Sequence, residues 1–169
     1  RTKATLLRGL KELGPQVVSD LRYVCTDMWQ PYLSVMAKKA GHALHILDRF
    51  HIVQHLNKAV DEVRRAESAR LRGKPIAARL KNMRWKLLRR GSRVRGQARI
   101  KLNALLQSKL ATGRAWDLKE CFDHFWHYKS ISWAGGFLDS WCRRVMRSRL
   151  EPMKKVARML RRHEELLLN

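Results

Sequence analysis

Leu6, Leu7, Leu10 and Leu13 recur at helical spacing until Gly14-Pro15 stops them, which predicts a short amphipathic helix followed by a loop. The next run, Leu21-Arg22-Tyr23-Val24-Cys25-Thr26, is short, β-branched and aromatic and ends at Asp27, the pattern of a strand. Trp29, Leu33, Met36 and Ala40 then fall four, three and four apart ahead of Gly41, and so predict a helix. His42-Ala43-Leu44-His45-Ile46-Leu47 reads as a second strand ending at Asp48. After it, Phe50, Val53, Leu56, Val60 and Val63 mark one face of a long helix.

Strand, helix, strand, helix implies parallel strands with helices packed on the sheet, and such sheets collect functional groups at the carboxyl ends of their strands. Asp27 and Asp48 both stand at such ends. Beyond Ser68 the pattern changes: up to Trp116 there is no acidic residue, while fifteen Lys and Arg occur. Gly73-Lys74-Pro75 and Gly91-Ser92 cut this stretch into helical pieces. Helical spacing continues through Leu118, Phe122 and Phe125 with Trp126, then Phe137, Trp141 and Val145, then from Pro152 through Val156, Met159 and His163. The expected fold class is therefore α/β plus α, two strands alternating with helices followed by an all-helical region, with a boundary drawn at 72/73. No fixed-period repeat is present.

Composition adds a partner. The 169 residues include 37 Lys and Arg against 14 Asp and Glu, a formal charge of +23, and such a field favours a polyanion. A solvated basic surface or anionic lipid are the competing readings. No apolar run approaches the roughly 20 residues that span a bilayer, and no hydrophobic leader follows the basic start. The chain is read as soluble and intracellular. Cys25, Cys121 and Cys142 are odd in number and widely spaced, which offers neither a disulfide framework nor a CxxC zinc pair. Arg1 in place of Met and the apolar finish Leu166-Leu167-Leu168-Asn169 lead to the expectation that both ends are cut.

The candidate chemistry is open at several positions. Asp27 ahead of Met28-Trp29-Gln30 suits a capping box, and Asp48 suits a cap for the following helix. A carboxylate at a strand end suits Mg²⁺ equally, because that ion takes hard oxygen ligands and often only one or two from protein. His51 with His55, His42 with His45 and His124 with His127 could pair on zinc, but no Cys or HExxH glutamate accompanies them, and packed or surface histidines fit better. Gly9 and Gly14 have phosphate-loop spacing, yet Pro15-Gln16 replaces the required Lys and Ser or Thr. Trp116, Phe122, Phe125, Trp126, Trp133, Phe137 and Trp141 could stack on bases, although their helical spacing favours a core. Arg84, Lys86, Arg89, Arg90, Arg93, Arg95 and Arg99 are too dense for local carboxylates to balance, which points to phosphates without any sequence readout.

Three segments together resemble a known family: Val24-Cys25-Thr26-Asp27-Met28-Trp29 with Tyr32, Leu47-Asp48-Arg49-Phe50-His51-Ile52-Val53, and Asn57-Lys58-Ala59-Val60-Asp61-Glu62-Val63-Arg64-Arg65. They are similar to the bacterial insertion-sequence transposases of the ISL-three group. Trp141-Cys142-Arg143-Arg144, Met146-Arg147-Ser148 and Glu151-Pro152-Met153-Lys154-Lys155-Val156-Ala157 look like the same group. The resemblance runs from about Val17 to the end and is weakest in the basic middle.

The resemblance implies a DDE transposase with an RNase H-like core, in which Asp, Asp and Glu surround two Mg²⁺ ions. Asp27 matches the second Asp and becomes the expected catalytic and metal-binding residue. Asp48 and His51 match the Asp-x-x-His signature and are expected to support the site or the DNA end. Residues 1–72 would be a partial core and 73–169 a basic helical insertion, whose Arg84, Lys86, Arg89, Arg90, Arg93 and Arg95 hold DNA. The first Asp is expected before Arg1 and the Glu, in a Glu-Gly-x-Asn-Asn motif, beyond Asn169. Glu164 and Glu165 lack that context. The implied partners are transposon ends and target DNA, with a homo-oligomer of the complete protein in the cytoplasm at the nucleoid. The chain alone is expected to be inactive. The rival reading is a non-catalytic basic helical module that binds DNA or RNA.

Overall fold

A computed structural model describes residues 2–169. Packing divides the chain into two compact units, Arg1–Ile52 with His163–Asn169, and Val53–Arg162. The boundary drawn at 72/73 therefore falls inside the second unit.

In the first unit, helix α1 (Lys3–Leu13) opens on a Thr2 side chain that accepts from the Thr5 amide at 3.2 Å, which satisfies one of the free amides at the helix start. Gly14, at φ 84°, ends it. Where a loop was expected, Pro15 starts a short helix, α2 (Pro15–Ser19), because proline's fixed φ suits a first helical turn. Strand β1 (Tyr23–Thr26), helix α3 (Gln30–Lys39) and strand β2 (Leu44–Leu47) follow, and α4 (Arg49–Arg70) leads into the second unit.

The two strands pair in parallel, Tyr23 with Leu44 through Thr26 with Leu47. Val24 buries its side chain on Met36, Ala40 and Ala43, and Leu6, Leu10, Val18 and Leu21 pack around that cluster. The alternate residues of β1 face outward: Tyr23 and Cys25 are exposed. Leu21 and His42, expected in strands, lie outside them. Phe50, expected on the buried face of α4, is 66% exposed. That face instead carries Ile52, Leu56, Ala59, Val60 and Val63.

In the second unit α4 is followed by α5 (Pro75–Lys81), α6 (Arg84–Leu88), α7 (Gly96–Gln107), α8 (Ala111–Phe122), α9 (Ile131–Met146) and α10 (Glu151–Arg162). Its centre is aromatic. The Phe122 ring stacks on Phe125 at 5.4 Å and meets Trp141 edge-on at 4.8 Å, while the Trp141 indole donates to the Leu118 carbonyl at 2.9 Å. Most of the aromatic residues are thus core, as their spacing implied, but Trp133 is 73% exposed. His163, expected on the last face of α10, instead precedes the closing helix α11 (Glu164–Leu168), which returns to the first unit and packs on β2.

Two buried charges finish helices that cannot finish themselves. Leu110, the residue ahead of α8, offers no side-chain acceptor. Glu67 of α4, 4% exposed, supplies it by accepting from the Ala111 amide at 2.9 Å, the Thr112 amide at 2.8 Å and the Thr112 hydroxyl at 2.7 Å. A carboxylate there also complements the positive end of the helix dipole. Lys119, on α8, donates to the Leu87 carbonyl at 2.6 Å and the Arg89 carbonyl at 3.1 Å, closing the end of α6. Burial pushes its ammonium below the usual lysine range, and the adjacent Glu120 carboxylate at 3.1 Å pulls the other way. Removing Glu67 leaves the part-buried Ala111 amide, the buried Thr112 amide and the Thr112 hydroxyl without an acceptor. Glu67→Ala should cost about 3 kcal/mol in urea unfolding and Glu67→Gln roughly half of that, and a loss below about 1 kcal/mol for the alanine variant would exclude this capping role.

Candidate functional site

The carboxyl end of the small sheet lies within the first unit. One bond beyond the paired residues, the Asp48 amide donates to the Thr26 carbonyl at 2.8 Å, so the ladder continues to the point where both chains leave it. Asp27 and Asp48 are the first residues past Thr26 and Leu47, on strands that in any sheet run about 4.8 Å apart. Parallel pairing thus brings the two aspartates to one edge, as the strand-helix alternation implied.

Their local roles differ. Asp48 caps α4: one carboxylate oxygen accepts from the Phe50 amide at 2.8 Å, and the other lies 2.8 Å from Nδ1 of His51. The carboxylate can only accept, so that nitrogen carries the proton and the imidazole is held in one orientation. Asp27 is half-buried and accepts from the Trp29 amide at 3.2 Å, an Asx turn that steers the chain out of the strand. It is not the helix cap or capping-box residue that Asp27 to Gln30 suggested, because α3 begins after Trp29, which makes no side-chain cap bond. Trp29 instead sets its ring edge against Tyr32 at 4.6 Å.

The backbone of Asp27 is fixed from the sheet side. The Thr26 hydroxyl donates to the Asp27 carbonyl at 3.0 Å and lies 2.6 Å from Nε2 of His45. Burial lowers the pKa of His45, which favours the neutral ring there. His45 contacts Thr26 through Nε2, and His51 contacts Asp48 through Nδ1. Among the described residues, no three His, Cys, Asp or Glu side chains converge on a common point. Asp27 and Asp48 are the carboxylates at this edge, hard oxygen donors of the kind that Mg²⁺ takes one or two at a time.

The basic residues lie in the second unit, on α6 and the turn after it. Arg84 reaches Asp61 at 3.7 Å and lies 4.9 Å over the ring of Trp85. Arg90 pairs with Asp123 at 3.1 Å, so two of the arginines do find carboxylates. Lys86 approaches the Asn82 carbonyl at 3.4 Å, and Arg89, Arg93 and Arg95 are exposed. The backbone beneath them is pinned. Besides the Lys119 bonds, the Gly91 amide donates to Glu120 at 2.6 Å and Arg99 donates to the Gly91 carbonyl at 3.0 Å. A Cβ at Gly91 would lie 2.7 Å from that Glu120 oxygen and 3.1 Å from the Trp116 ring, which explains glycine at this position.

Sequence reasoning passed over Trp85, which is 68% exposed between Arg84 and Lys86. An aromatic flanked by cations in an acid-free run was a usable signal. Arg114 of α8 and Arg144 and Arg147 at the end of α9 line one groove together with Asp117, and no local pattern announced that, because α8 and α9 are brought together only by packing. Among the described residues no helix is long and apolar enough to cross a membrane.

Comparisons with known proteins bear on this geometry. The chain is similar to the transposase for insertion sequence element IS1001 of Bordetella parapertussis, at 24% identity over 163 residues, which is 95% of this chain and 40% of that protein. The chain thus spans about two fifths of that relative's length. No solved structure matches it. Residues 1–169 in their entirety match the model of a family described as Transposase, and the chain accordingly belongs to the ISL-three family of transposases.

Proposed function

We propose that this chain is part of a transposase that moves DNA by metal-dependent phosphodiester cleavage and strand transfer, with residues 1–72 belonging to an RNase H-like catalytic core and 73–169 to a basic helical insertion. The observation that carries this reading is the placement of Asp27, half-buried and held by the Trp29 amide, at the carboxyl end of a parallel strand beside Asp48. Open parallel sheets bind their ligands at that edge. Membership in a transposase family supports transposition as the process it serves.

Asp27 would hold one Mg²⁺ through a carboxylate oxygen. When bound, a pair of such ions supplies Lewis-acid polarisation of a phosphodiester and charge neutralisation at the leaving oxygen. The overall chemistry is hydrolysis at the element's end, followed by attack of the freed 3′ hydroxyl on a target phosphodiester, which releases a new 3′ hydroxyl in the target. Asp48 contributes by orientation: its two oxygens lock the first turn of α4 and the His51 ring beside the site. The Thr26–His45 contact holds the Asp27 backbone in register with the sheet. Arg89, Arg93 and Arg95, with Lys86, neutralise DNA phosphates from a surface whose backbone is anchored by Lys119 and Glu120. DNA, as transposon ends and target, is the partner, and the complete protein acts as a homo-oligomer in the bacterial cytoplasm.

One observation favours a second reading, a helical nucleic-acid binder without catalysis: both Asp48 oxygens are engaged within the fold, and no third ligand joins Asp27 among the described residues.

Asp27→Asn in the complete transposase keeps an acceptor for Trp29 and removes the charge. Strand transfer should fall at least about 100-fold with DNA affinity unchanged, and near-normal transfer in a strand-transfer assay would leave only the second reading. Binding to unrelated duplexes should weaken steeply with salt, and replacing Arg89, Arg93 and Arg95 by alanine should reduce the slope of log K against log salt by roughly 3. An unchanged slope in a fluorescence titration would place those arginines away from DNA.

A further inference from the structure

Helices α5, α6 and α7 enclose a hollow of about 470 Å³ in the second unit, within the range of roughly 300–1,000 Å³ that takes small organic ligands. Its walls divide by chemistry. Met83 and Leu105, both buried, form an apolar floor with Ile76. Arg79, Lys86 and Lys101 stand around it, and no carboxylate lines it. Asn82 and Ser108 add an amide and a hydroxyl.

We infer that this hollow binds one unpaired nucleotide of a DNA strand, the base entering against Met83 and Leu105 and the flanking phosphates lying on Arg79, Lys86 and Lys101. A stacked base pair presents only its edges and cannot enter such a space, whereas an extruded or single-stranded base offers an apolar face to the floor and polar edges to Asn82. Three cations without a carboxylate favour an anionic ligand, and an apolar floor between them favours an anion that carries a flat apolar body. A nucleotide within a strand meets both needs. Trp85, exposed on the helix that supplies Lys86 and already carrying Arg84 over its ring, offers a stacking surface for another base of the same strand. The site lies on the basic region already proposed to contact DNA, and so rests on that reading, but it gives the region an additional role, the recognition of unpaired DNA beside its contacts to duplex phosphates.

Ala104 is exposed on the rim of the hollow, so Ala104→Phe fills the space without touching charge or core. Anisotropy titrations of the 169-residue chain with labelled oligo(dT) and with a labelled duplex of equal length separate the two roles. Filling the hollow should weaken oligo(dT) binding roughly tenfold and leave duplex binding unchanged. Trp85→Ala should act in the same direction. Equal affinity of Ala104→Phe and the parent for oligo(dT), with helix content intact by circular dichroism, overturns the inference while leaving the duplex-binding reading in place. Loss of salt-dependent duplex binding in the parent chain would instead overturn that reading. Should Ala104→Phe not fold, Lys101→Gln on the exposed rim replaces it: oligo(dT) affinity falling several-fold more than duplex affinity supports the site, and an equal fall in both refutes it. Deoxythymidine monophosphate displacing oligo(dT) from the hollow at micromolar concentration would assign it to a free nucleotide and likewise refute the claim.

Discussion

Charge balance is the constraint under which this chain folds. Fourteen carboxylates serve 37 lysines and arginines, and burying any charge is costly unless it is paired and hydrogen-bonded. The second unit meets this constraint by placing its buried charges where backbone groups lack partners. Glu67 satisfies the start of α8, and Lys119 the end of α6. Asp61 gathers Arg64, Arg65 and Arg84 around one carboxylate. What remains outside is a surface of cations on a backbone held in place from beneath. Such a surface meets a polyanion with little ordering cost, because its side chains project from an already rigid frame.

The first unit is governed by a different interaction, the parallel pairing of β1 with β2. Four residue pairs suffice to set two aspartates at one edge, since each strand hands over to a helix soon afterwards and parallel strands must end on the same side. The consequence is division of labour. Asp48, followed directly by α4, commits its oxygens to the helix start and to His51, whereas Asp27, separated from α3 by a short turn, is held through the Trp29 amide and its own carbonyl. The outer face of β1, with Tyr23 and Cys25 exposed, is unusual for a parallel sheet, which ordinarily has both faces covered.

Much of this was readable in the chain. Val24 flanked by outward residues, Leu33 and Met36 one turn apart, and Leu56, Val60 and Val63 along one helix face are periodic signals, and each proved buried. The motif residues around Asp27 and Asp48 were legible because strand-end aspartates interrupt apolar runs. Phe50 and Trp133 were misplaced for one reason: periodicity marks the apolar face of a helix but not how far a neighbour covers it, and both residues sit near helix starts where cover runs out. The loop expected after Gly14 proved helical because proline breaks a helix only when it stands inside one.

The sequence by itself determined the helical and strand periods, the strand–helix alternation that implies parallel strands, the strand-end position of Asp27 and the polyanion-seeking charge, because all of these are local or compositional properties. Only the tertiary structure decided that Glu67 would cap α8 from 44 and 45 residues away, that Lys119 would anchor the arginine-rich turn, and that Arg79, Lys86 and Lys101 would surround one hollow. Those arrangements join residues far apart in the chain, and a long-range contact leaves no periodic trace in the segments that make it.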